Sequence, residues 1–452
     1  MKTVDIIERI EGEAKLHLSW KNGKVQDAHI AFLNFRGFEH MLQNKPALDA
    51  LVYTPRICGI CGQAHLYATV NALEDVYKNA NIALEVTPKA KSLRELGLII
   101  EIIQSHIKWF YFFIMPDINQ HSRYFDEKFV PLKGESWLKA QEASSSIIKA
   151  LATFAGQWPH TSYMMPGGVV CDPTHMDIIF VENYIDKAIL FFEKEMTGGV
   201  DLNNYLSFSK AEDIGNIKGD VNQFIQMSFE QGFEKIGQSH DRFFVISDDL
   251  GFVKGKIKNK NAVKIDLNKI EESSAFTFDL EVGKPKKEKY SWSKTVKYEN
   301  LFYETGPLAR ALMQNRKLIK TLHKTYEDTV FTRVMARVDE IAFLLHKAKV
   351  LLHSLCLQEA SYIEPKIALK EIDEGFGIGV IEATRGSLKH EVHIKNGMIQ
   401  KYDVITPTVW NLGPGNALDY AVAQKAIIGA KSLFEATIIL RSFDVCSVCT
   451  TH

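Results

Sequence analysis

The chain has 452 residues, of which 46% are hydrophobic and 24% are charged, and its formal net charge is -1. This composition is typical of a globular protein, and the length suits two or three ordinary domains or one large domain. Because 54 basic residues stand against 55 acidic ones, the charge balance gives no reason to expect nucleic acid as a partner.

The N-terminal region predicts strands. Residues 4–35 alternate between polar and apolar side chains, and Asn22-Gly23 has the sequence of a two-residue hairpin turn. The first twenty residues are charged and contain no long apolar run, so they do not resemble a secretory signal. We therefore expect no export signal in this chain, although a partner subunit could supply one.

The most apolar stretch, residues 96–115, predicts a buried helix rather than a membrane span. A helix is expected to open at Thr87-Pro88, since threonine can cap a helix and proline suits its first turn. A membrane span tolerates few polar groups. The stretch carries such groups at Glu101, Gln104, His106 and Lys108. The chain is accordingly expected to have no membrane anchor of its own.

The rest of the chain predicts more helix than strand. Helical patterns follow at about 136–155, 174–196, 320–356 and 416–440, whereas residues 243–304 are rich in Val, Phe, Tyr and Thr and predict strands. We therefore predict a mainly α fold with smaller β portions (α+β). The whole chain, 1–452, is expected to form a single large domain with a β-rich sub-region at about 243–304.

A glycine motif in the C-terminal third resembles part of a dinucleotide-binding loop. It reads Gly375-x-Gly377-x-Gly379. The full fingerprint requires a strand before it, a helix after it and an acidic residue roughly 20 residues later. Because Glu-Ala-Thr-Arg-Gly follows instead, we do not expect a nucleotide to bind there.

Four of the six cysteines form two Cys-x-x-Cys pairs at opposite ends of the chain, Cys58/Cys61 and Cys446/Cys449. Each pair can place both sulfurs on one metal ion, so the two pairs suggest one four-thiolate site that closes when the ends meet. The spacing leaves a catalytic metal, a structural metal and a redox or disulfide role open. Structural zinc pairs usually lie roughly 15–20 residues apart, and six cysteines in 452 residues are too few for a disulfide framework.

The other two cysteines, Cys171 and Cys356, are isolated in the sequence and are expected to be buried apolar residues. No cysteines are then left for an iron–sulfur cluster in this chain.

The residues around the two pairs resemble the large subunits of NiFe hydrogenases. Residues 56–65, RICGICGQAH, match the family signature R-x-C-G-x-C-x-x-x-H, and residues 444–452, DVCSVCTTH, match its ending D-x-C-x-x-C-x-x-H. Four further segments resemble family landmarks in family order, namely Arg36–Glu39, Gly306–Arg310, Glu382–Gly386 and Pro407–Asn411. The resemblance covers essentially the whole chain. It implies a large-subunit-like helical core with a metal site that joins N- and C-terminal segments.

By this resemblance the cysteines would hold a nickel–iron centre. Cys58 and Cys446 would be terminal nickel ligands, whereas Cys61 and Cys449 would bridge nickel to an iron that carries carbon monoxide and two cyanide ligands. Thiolate sulfur suits these soft metals. His65 would donate a hydrogen bond to a bridging sulfur.

The resemblance also implies residues above the open metal position. Arg385 would lie over it, and Asp444 would fix Arg385 through a charge-assisted pair. Thr408 would offer its hydroxyl to a cyanide. Ser105 and His106 would lie near Arg385, with Ser105 standing where membrane-bound respiratory enzymes usually have aspartate.

Two more sites are implied near the termini. Glu11 matches the glutamate that relays the proton outward from a terminal cysteine, a role that suits a carboxyl. Glu39 and His452, together with the carbonyl of Val404, resemble the ligands of a structural Mg²⁺ or Fe²⁺.

The sequence therefore predicts the catalytic subunit of a NiFe hydrogenase, which cleaves H₂ reversibly and heterolytically into protons and electrons. The alternatives are an H₂-sensing regulatory hydrogenase with slow turnover and a structural zinc protein. The electrons would leave through an iron–sulfur small subunit, so at least a heterodimer is expected. Ser105 favours a cytoplasmic subgroup, whereas Thr384, at a position where the common motif has proline, implies a different packing over one cyanide. We expect a cytoplasmic location, with any membrane association made through a partner.

Overall fold

The computed structural model describes residues 2–4, 12–278, 289–449 and 451. Within these ranges the α-helices are α1 (Phe38–Leu42), α2 (Ala50–Tyr53), α3 (Gly62–Asn79), α4 (Pro88–Lys108), α5 (Met115–Gln120), α6 (Glu135–Ala155), α7 (His175–Phe191), α8 (Leu202–Ser207), α9 (Asp220–Gln231), α10 (Pro307–Met313), α11 (Lys317–Tyr326), α12 (Val330–Ser354), α13 (Pro407–Leu412), α14 (Val422–Ile427) and α15 (Leu433–Arg441). The mainly helical fold with small sheets is confirmed.

The strands form five small antiparallel sheets in the described ranges. They are β1 (Lys2–Val4), β2 (Lys15–Lys21), β3 (Lys24–Ala31), β4 (Met164–Met165), β5 (Gly168–Val169), β6 (Phe243–Val245), β7 (Gly255–Lys258), β8 (Asn261–Val263), β9 (Ile270–Ser273), β10 (Thr295–Tyr298), β11 (Glu374–Ala383), β12 (Gly386–Lys395) and β13 (Met398–Ile405). Between 243 and 304 the strands are short and lie in two sheets, β6-β7-β8 and β9-β10.

The N-terminal hairpin is confirmed. β2 and β3 pair in antiparallel fashion, and Asn22 and Gly23 lie in the turn with φ of 51° and 73°. Positive φ at both central residues is what a type I′ turn requires.

The central helix of the fold is α4. The Thr87 hydroxyl accepts a hydrogen bond from the Ala90 backbone N–H at 3.1 Å, and Pro88 stands in the first turn, so the predicted start is confirmed. α4 packs against α6 and α12, and α6 packs in turn against α7. The helical segment Pro88–Gln120 is long and apolar enough to cross a membrane, but most of its apolar part is buried inside this protein. It is therefore a core helix.

The glycine motif serves packing. Gly377 and Gly379 lie in β11, which crosses α3 at close range. A Cβ atom at Gly377 would come within 2.0 Å of the Ala72 carbonyl oxygen, and one at Gly379 within 1.9 Å of the Ala68 carbonyl oxygen. The glycines let a strand approach a helix backbone, which explains why the dinucleotide fingerprint is incomplete.

Two helix predictions were wrong in the same way. Residues 320–356 do not form one helix, because Glu327 has a φ of 58° and the Thr329 hydroxyl caps a new helix, α12. Residues 416–440 are also divided, because Gly429 has a φ of 93° and Ser432 caps α15. In both segments a local cap overrides a continuous apolar pattern.

The prediction for the isolated cysteines was wrong for Cys356, which is exposed, whereas Cys171 is half-buried. Burial raises the pKa of the Cys171 thiol to about 12. Cys171 is therefore a neutral, unreactive thiol at neutral pH.

Candidate metal centre

The two cysteine pairs meet in the core. The sulfurs of Cys58 and Cys446 are 3.7 Å apart, as are those of Cys61 and Cys449, and the sulfurs of Cys446 and Cys449 are 3.0 Å apart. All four side chains are buried. The predicted four-thiolate site therefore exists as one cluster, assembled from residues 388 positions apart.

The sulfur distances decide between some of the open alternatives. A disulfide needs about 2.05 Å, so the four thiols are free and the disulfide alternative is wrong. Four sulfurs about 2.3 Å from one tetrahedral metal would lie about 3.8 Å apart, so the cluster suits a shared metal centre. Four thiolates alone fit zinc as well as nickel and iron. Only the residues around the four cysteines can distinguish between these metals.

Local structure holds each pair in place. The first pair lies in the loop between α2 and α3, and the second lies just after α15. Arg36 connects the two loops, because its guanidinium donates to the Val448 carbonyl at 2.8 Å and to the Ile57 carbonyl at 3.2 Å. Asp444, with a φ of 59°, turns the chain from α15 into the second pair.

Glu101 anchors the helix that follows the first pair. Its carboxyl oxygens accept the backbone N–H groups of Gln63 at 2.8 Å and Ala64 at 3.2 Å, which are orphan donors at the start of α3. Burial raises the pKa of this carboxyl to about 8, although both N–H donors oppose that shift. Glu101 is completely buried, and its carboxyl is mostly protonated at neutral pH.

The pKa values of the four cysteine thiols are shifted in different directions. Hydrogen bonds from Cys446, Cys449 and Cys61 lower the pKa of Cys58, whereas the pKa values of the other three are raised. One thiolate is thus stabilised by three thiols. Metal binding, which requires thiolates, must displace the remaining protons.

Arg385 and Asp444 form the predicted pair beside the sulfurs. Arg385 lies in the two-residue turn between β11 and β12, and its Nη2 is 2.9 Å from Asp444 Oδ1. Its Nε also donates to the Asp444 carbonyl at 2.9 Å. Burial opposes the charge, but Asp444 and the cysteine sulfurs outweigh it and raise the pKa of Arg385 further. Arg385 therefore stays a cation at any working pH.

Two buried donors beside this pair lack partners. Arg385 Nη1 and the Thr384 hydroxyl have no hydrogen-bond partner among the described residues, and neither does Asp444 Oδ2. Buried polar groups are normally paired, and unpaired ones point to a missing ligand or water. A four-cysteine zinc site leaves no ligand for such donors to bind, whereas an iron that carries cyanide would supply acceptors.

His65 lies at the end of a buried hydrogen-bond chain. A ring nitrogen of His65 and the sulfurs of Cys61 and Cys449 lie within 4.8 Å of one another. His65 Nδ1 is 3.0 Å from His390 Nε2, and His390 Nδ1 is 2.8 Å from the Tyr402 hydroxyl. Burial lowers the pKa of His65 to about 4, so the ring is neutral at pH 7.

Thr408, Ser105 and His106 are all buried, and their predicted roles around the centre stay predictions. The Thr408 hydroxyl donates to the Cys446 carbonyl at 3.0 Å. Ser105 is buried on α4. His106 Nε2 is 2.9 Å from Glu340 Oε1, so its ring belongs to a charge cluster behind Arg385 rather than to the cysteine cluster.

The predicted second metal site is partly described. Glu39 Oε1 accepts the Val404 backbone N–H at 3.0 Å, and the Thr451 carbonyl accepts the Glu39 backbone N–H at 3.3 Å. Lys294 lies 3.2 Å from Glu39 and 3.4 Å from Glu272. Burial and the Glu39 charge raise the pKa of Glu272 to about 7. The predicted residues Glu11 and His452 lie outside the described residues.

Several residues of this site carried no signal of their own in the sequence. Glu101 and His390 are single residues inside a helix and a strand, and only the fold brings them to the cysteines. Arg36 lay in a segment recognised by resemblance, but its partners are 21 and 412 residues away. Spacing rules cannot detect contacts of that kind.

Comparison with known proteins identifies the family. The model of the nickel-dependent hydrogenase family matches residues 36–118 and 122–452. The chain therefore belongs to the nickel-dependent hydrogenases, as a large subunit, and is an oxidoreductase that acts on H₂ with a small-subunit partner.

Named relatives cover nearly the whole chain. It is 26% identical to the periplasmic [NiFeSe] hydrogenase large subunit of Desulfomicrobium baculatum, over 100% of this chain and 94% of the relative. It is 23% identical to the quinone-reactive Ni/Fe-hydrogenase large chain of Wolinella succinogenes, over 99% of this chain and 95% of the relative. The Ni-Fe-Se hydrogenase structure from D. vulgaris Hildenborough has the same fold, with a TM-score of 0.82, 24% identity and coverage of 100% of this chain and 99% of that one.

Proposed function

We propose that this chain is the catalytic subunit of a NiFe hydrogenase whose nickel–iron centre is held by Cys58, Cys61, Cys446 and Cys449. The observation that carries the proposal is the buried cluster of four free sulfurs beside Arg385 and its unpaired Nη1. Cys58 and Cys446 would be terminal nickel ligands, and Cys61 and Cys449 would bridge to iron. Selenium, printed in the names of some relatives, is not carried over, since this chain has cysteine at all four positions.

When bound, the nickel–iron pair with its carbon monoxide and cyanide ligands would supply the Lewis acid and the electron acceptor for splitting H₂. The protein surrounds this position with fixed charge. Asp444 holds the Arg385 guanidinium so that its positive charge faces the metal position. The guanidinium can orient a bound ligand but does not act as a base, since it does not deprotonate in proteins.

Two hydroxyls stand where cyanide acceptors are proposed. The Thr384 hydroxyl is buried without a partner among the described residues, so its proton is available. The proton of the Thr408 hydroxyl is already given to the Cys446 carbonyl. We therefore expect Thr384 to be the stronger hydrogen-bond donor to cyanide. Thr408 is expected to hold the Cys446 backbone in place instead.

The neutral His65 ring would donate to a bridging sulfur. Tyr402 has one hydroxyl proton, and when it is given to His390 Nδ1 the His390 Nε2–H donates to His65 Nδ1. The His65 Nε2–H then faces the cluster. A metal-bound thiolate can only accept, so this direction of the chain is the favourable one.

Glu11 is proposed to receive the proton that leaves a terminal cysteine. Its neighbour Gly12 packs against the second cysteine loop, where a Cβ atom would come within 2.2 Å of Ser447 Oγ. Glu11→Gln should slow H₂/D⁺ exchange at least tenfold while nickel and iron stay bound. Unchanged exchange would exclude the relay role, and Glu13→Gln, a neighbouring exposed carboxyl, is the matched control.

A second, structural cation is proposed at Glu39, the Val404 carbonyl and His452. Glu272 lies near Glu39, since Lys294 pairs with both carboxylates, and these oxygen donors suit Mg²⁺ or Fe²⁺. Metal analysis of Glu39→Gln should show loss of one Mg²⁺ or Fe²⁺ with nickel retained. A wild-type protein with no metal beyond one nickel and one iron would rule this site out.

The electrons are proposed to leave through an iron–sulfur small subunit. Five apolar side chains in the segment before the first cysteine pair are 38–45% exposed, and they are Leu33, Phe35, Met41, Leu48 and Val52. Val52→Asp should reduce co-purification of the small subunit. Val263→Asp, at an equally exposed apolar position in β8, should not.

Elemental analysis and H₂/D⁺ exchange of the purified complex test the function as a whole. One nickel per large subunit with fast exchange supports the proposal. Zinc at one equivalent without nickel would refute it, and bound nickel with very slow turnover would indicate the H₂-sensing alternative. Cys446→Ser should abolish nickel retention if that residue is a ligand.

We also propose a cytoplasmic location. Ser105, where membrane-bound respiratory enzymes usually have aspartate, supports it. Cell fractionation tests it, and recovery of the protein in the periplasm would overturn it.

A further inference from the structure

Arg310, on α10, is a buried arginine whose N–H donors are all used. Its Nε and Nη2 donate to the two carboxylate oxygens of Glu340 at 2.8 and 2.6 Å, and Nη1 donates to Glu382 at 3.0 Å. The remaining donors bind backbone carbonyls, that of Ala383 at 2.8 Å and that of Thr384 at 3.0 Å. Five directed bonds leave this guanidinium a single position.

The two carbonyls belong to the turn that carries Arg385. β11 ends at Ala383, β12 begins at Gly386, and these two residues pair across the turn. The turn itself is Thr384-Arg385, so Arg310 binds both peptide oxygens that immediately precede Arg385. A side chain at the tip of a two-residue turn moves with these peptide groups. The Arg310 contacts therefore fix the backbone from which the Arg385 side chain extends.

The other side of the turn is packed against backbone. A Cβ atom at Gly306 would come within 2.9 Å of the Arg385 carbonyl oxygen, so the start of α10 lies directly against the turn. α10 thus touches the turn twice, through Gly306 and through Arg310. The short helix acts as a rigid support for it.

The carboxylates that hold Arg310 are themselves held. Glu340, on α12, also receives His106 Nε2 from α4, while Glu382 accepts the Ile246 backbone N–H at 2.8 Å and the Ser387 hydroxyl at 2.6 Å. Burial opposes the charge on Glu340, but Arg310 and His106 outweigh it and lower its pKa to about 2. The support under the turn therefore reaches from α10 to α12 and α4.

We propose that Arg310 is a positioning residue for the hydrogenase reaction, which sets the place of Arg385 over the metal centre by holding the Ala383 and Thr384 carbonyls. The inference rests on the proposed role of Arg385. The Gly306–Arg310 segment thus contributes to the site through its contacts with the Thr384-Arg385 turn.

Arg310→Lys is the test variant because it keeps the positive charge between Glu340 and Glu382. A lysine has three donors, so at most three of the five bonds can be made. Arg94→Lys is the matched control. Arg94 is equally buried, pairs with Glu74, and donates to the Met165 and Gly168 carbonyls at 2.7 and 2.8 Å, away from the Arg385 turn.

The measurements are made on the purified complex with its small subunit. Nickel and iron content should be unchanged in both variants, and both should lose a similar amount of thermal stability. Only Arg310→Lys should shift the infrared stretching bands of cyanide and slow H₂/D⁺ exchange at least tenfold. Its crystal structure should show the Thr384-Arg385 turn displaced and the Arg385–Asp444 pair lengthened.

Unchanged infrared bands and an unmoved turn in Arg310→Lys would overturn the proposal. Equal shifts in both variants would overturn it too, because the effect would then be general loss of packing. Failure of the proposed function is distinguishable, since the wild-type complex would then lack nickel and cyanide bands. The position of the Arg385 turn in crystals of the variant would still be measurable.

Discussion

Replacing Glu101 with glutamine should change how stability depends on pH. The wild-type carboxyl has its pKa raised to about 8 by burial, against an ordinary value of 4.5. Between these two values the folded state binds more protons than the unfolded state, so the free energy of unfolding falls as pH rises. The loss begins near pH 4.5 and is complete above pH 8. Glutamine cannot ionise and removes this slope.

The magnitude follows from the two pKa values. From pH 5.5 to pH 8, a carboxyl with these values costs the wild type about 3 kcal/mol of unfolding free energy. At low pH the variant should be slightly less stable, by about 1 kcal/mol, because an amide accepts only one of the two N–H groups well. The two effects have opposite signs, so the stability curves of wild type and variant should cross.

Thermal unfolding by scanning fluorimetry at pH 5.5, 6.5, 7.5 and 8.5 measures this. For a chain of this length, 1 kcal/mol corresponds to roughly 1 °C in Tm. The variant should therefore begin below the wild type and finish about 2 °C above it. A difference between the two Tm values that does not change with pH would refute the buried, protonated carboxyl.

Three further outcomes test the packing and the hydrogen-bond chain. Gly379→Ala should lower stability by about 1–3 kcal/mol or more, because its Cβ meets the Ala68 carbonyl at 1.9 Å, whereas Gly215→Ala, with open space around it, should leave Tm unchanged. Tyr402→Phe should cost about 1 kcal/mol and shift the infrared bands of the loaded enzyme, since His390 Nδ1 loses its hydroxyl donor; unshifted bands would argue against a directed chain to His65. Asp444→Ala should destabilise the protein by about 3–5 kcal/mol, as it leaves Arg385 buried without its carboxylate, and an unchanged Tm would contradict that pairing.

Local patterns predicted local structure well. The Asn22-Gly23 turn and the Thr87-Pro88 helix start are confirmed because each depends on a few adjacent residues. The predictions of one long helix near 320–356 and another near 416–440 were wrong, because they relied on a long apolar pattern and not on adjacent residues. Apolar spacing continues across these segments, but the chain turns at Glu327 and Gly429, and Thr329 and Ser432 then cap new helices.

The sequence by itself determined the donors of the site. Two Cys-x-x-Cys pairs, their flanking residues and the landmarks between them identified the family, because metal ligation demands particular residue types at particular spacings. Only the tertiary structure brought the sulfurs of the two pairs to 3.7 Å from each other. It also brought Arg310 to the carbonyls that precede Arg385, and Glu101 to the start of α3, just after the first pair. These contacts join residues that are 38 to 388 positions apart, and nothing in the chain order records them. They arise when α3, α4, α10, α12 and β11 bury their apolar faces together, since burial fixes where each polar group can find its partner.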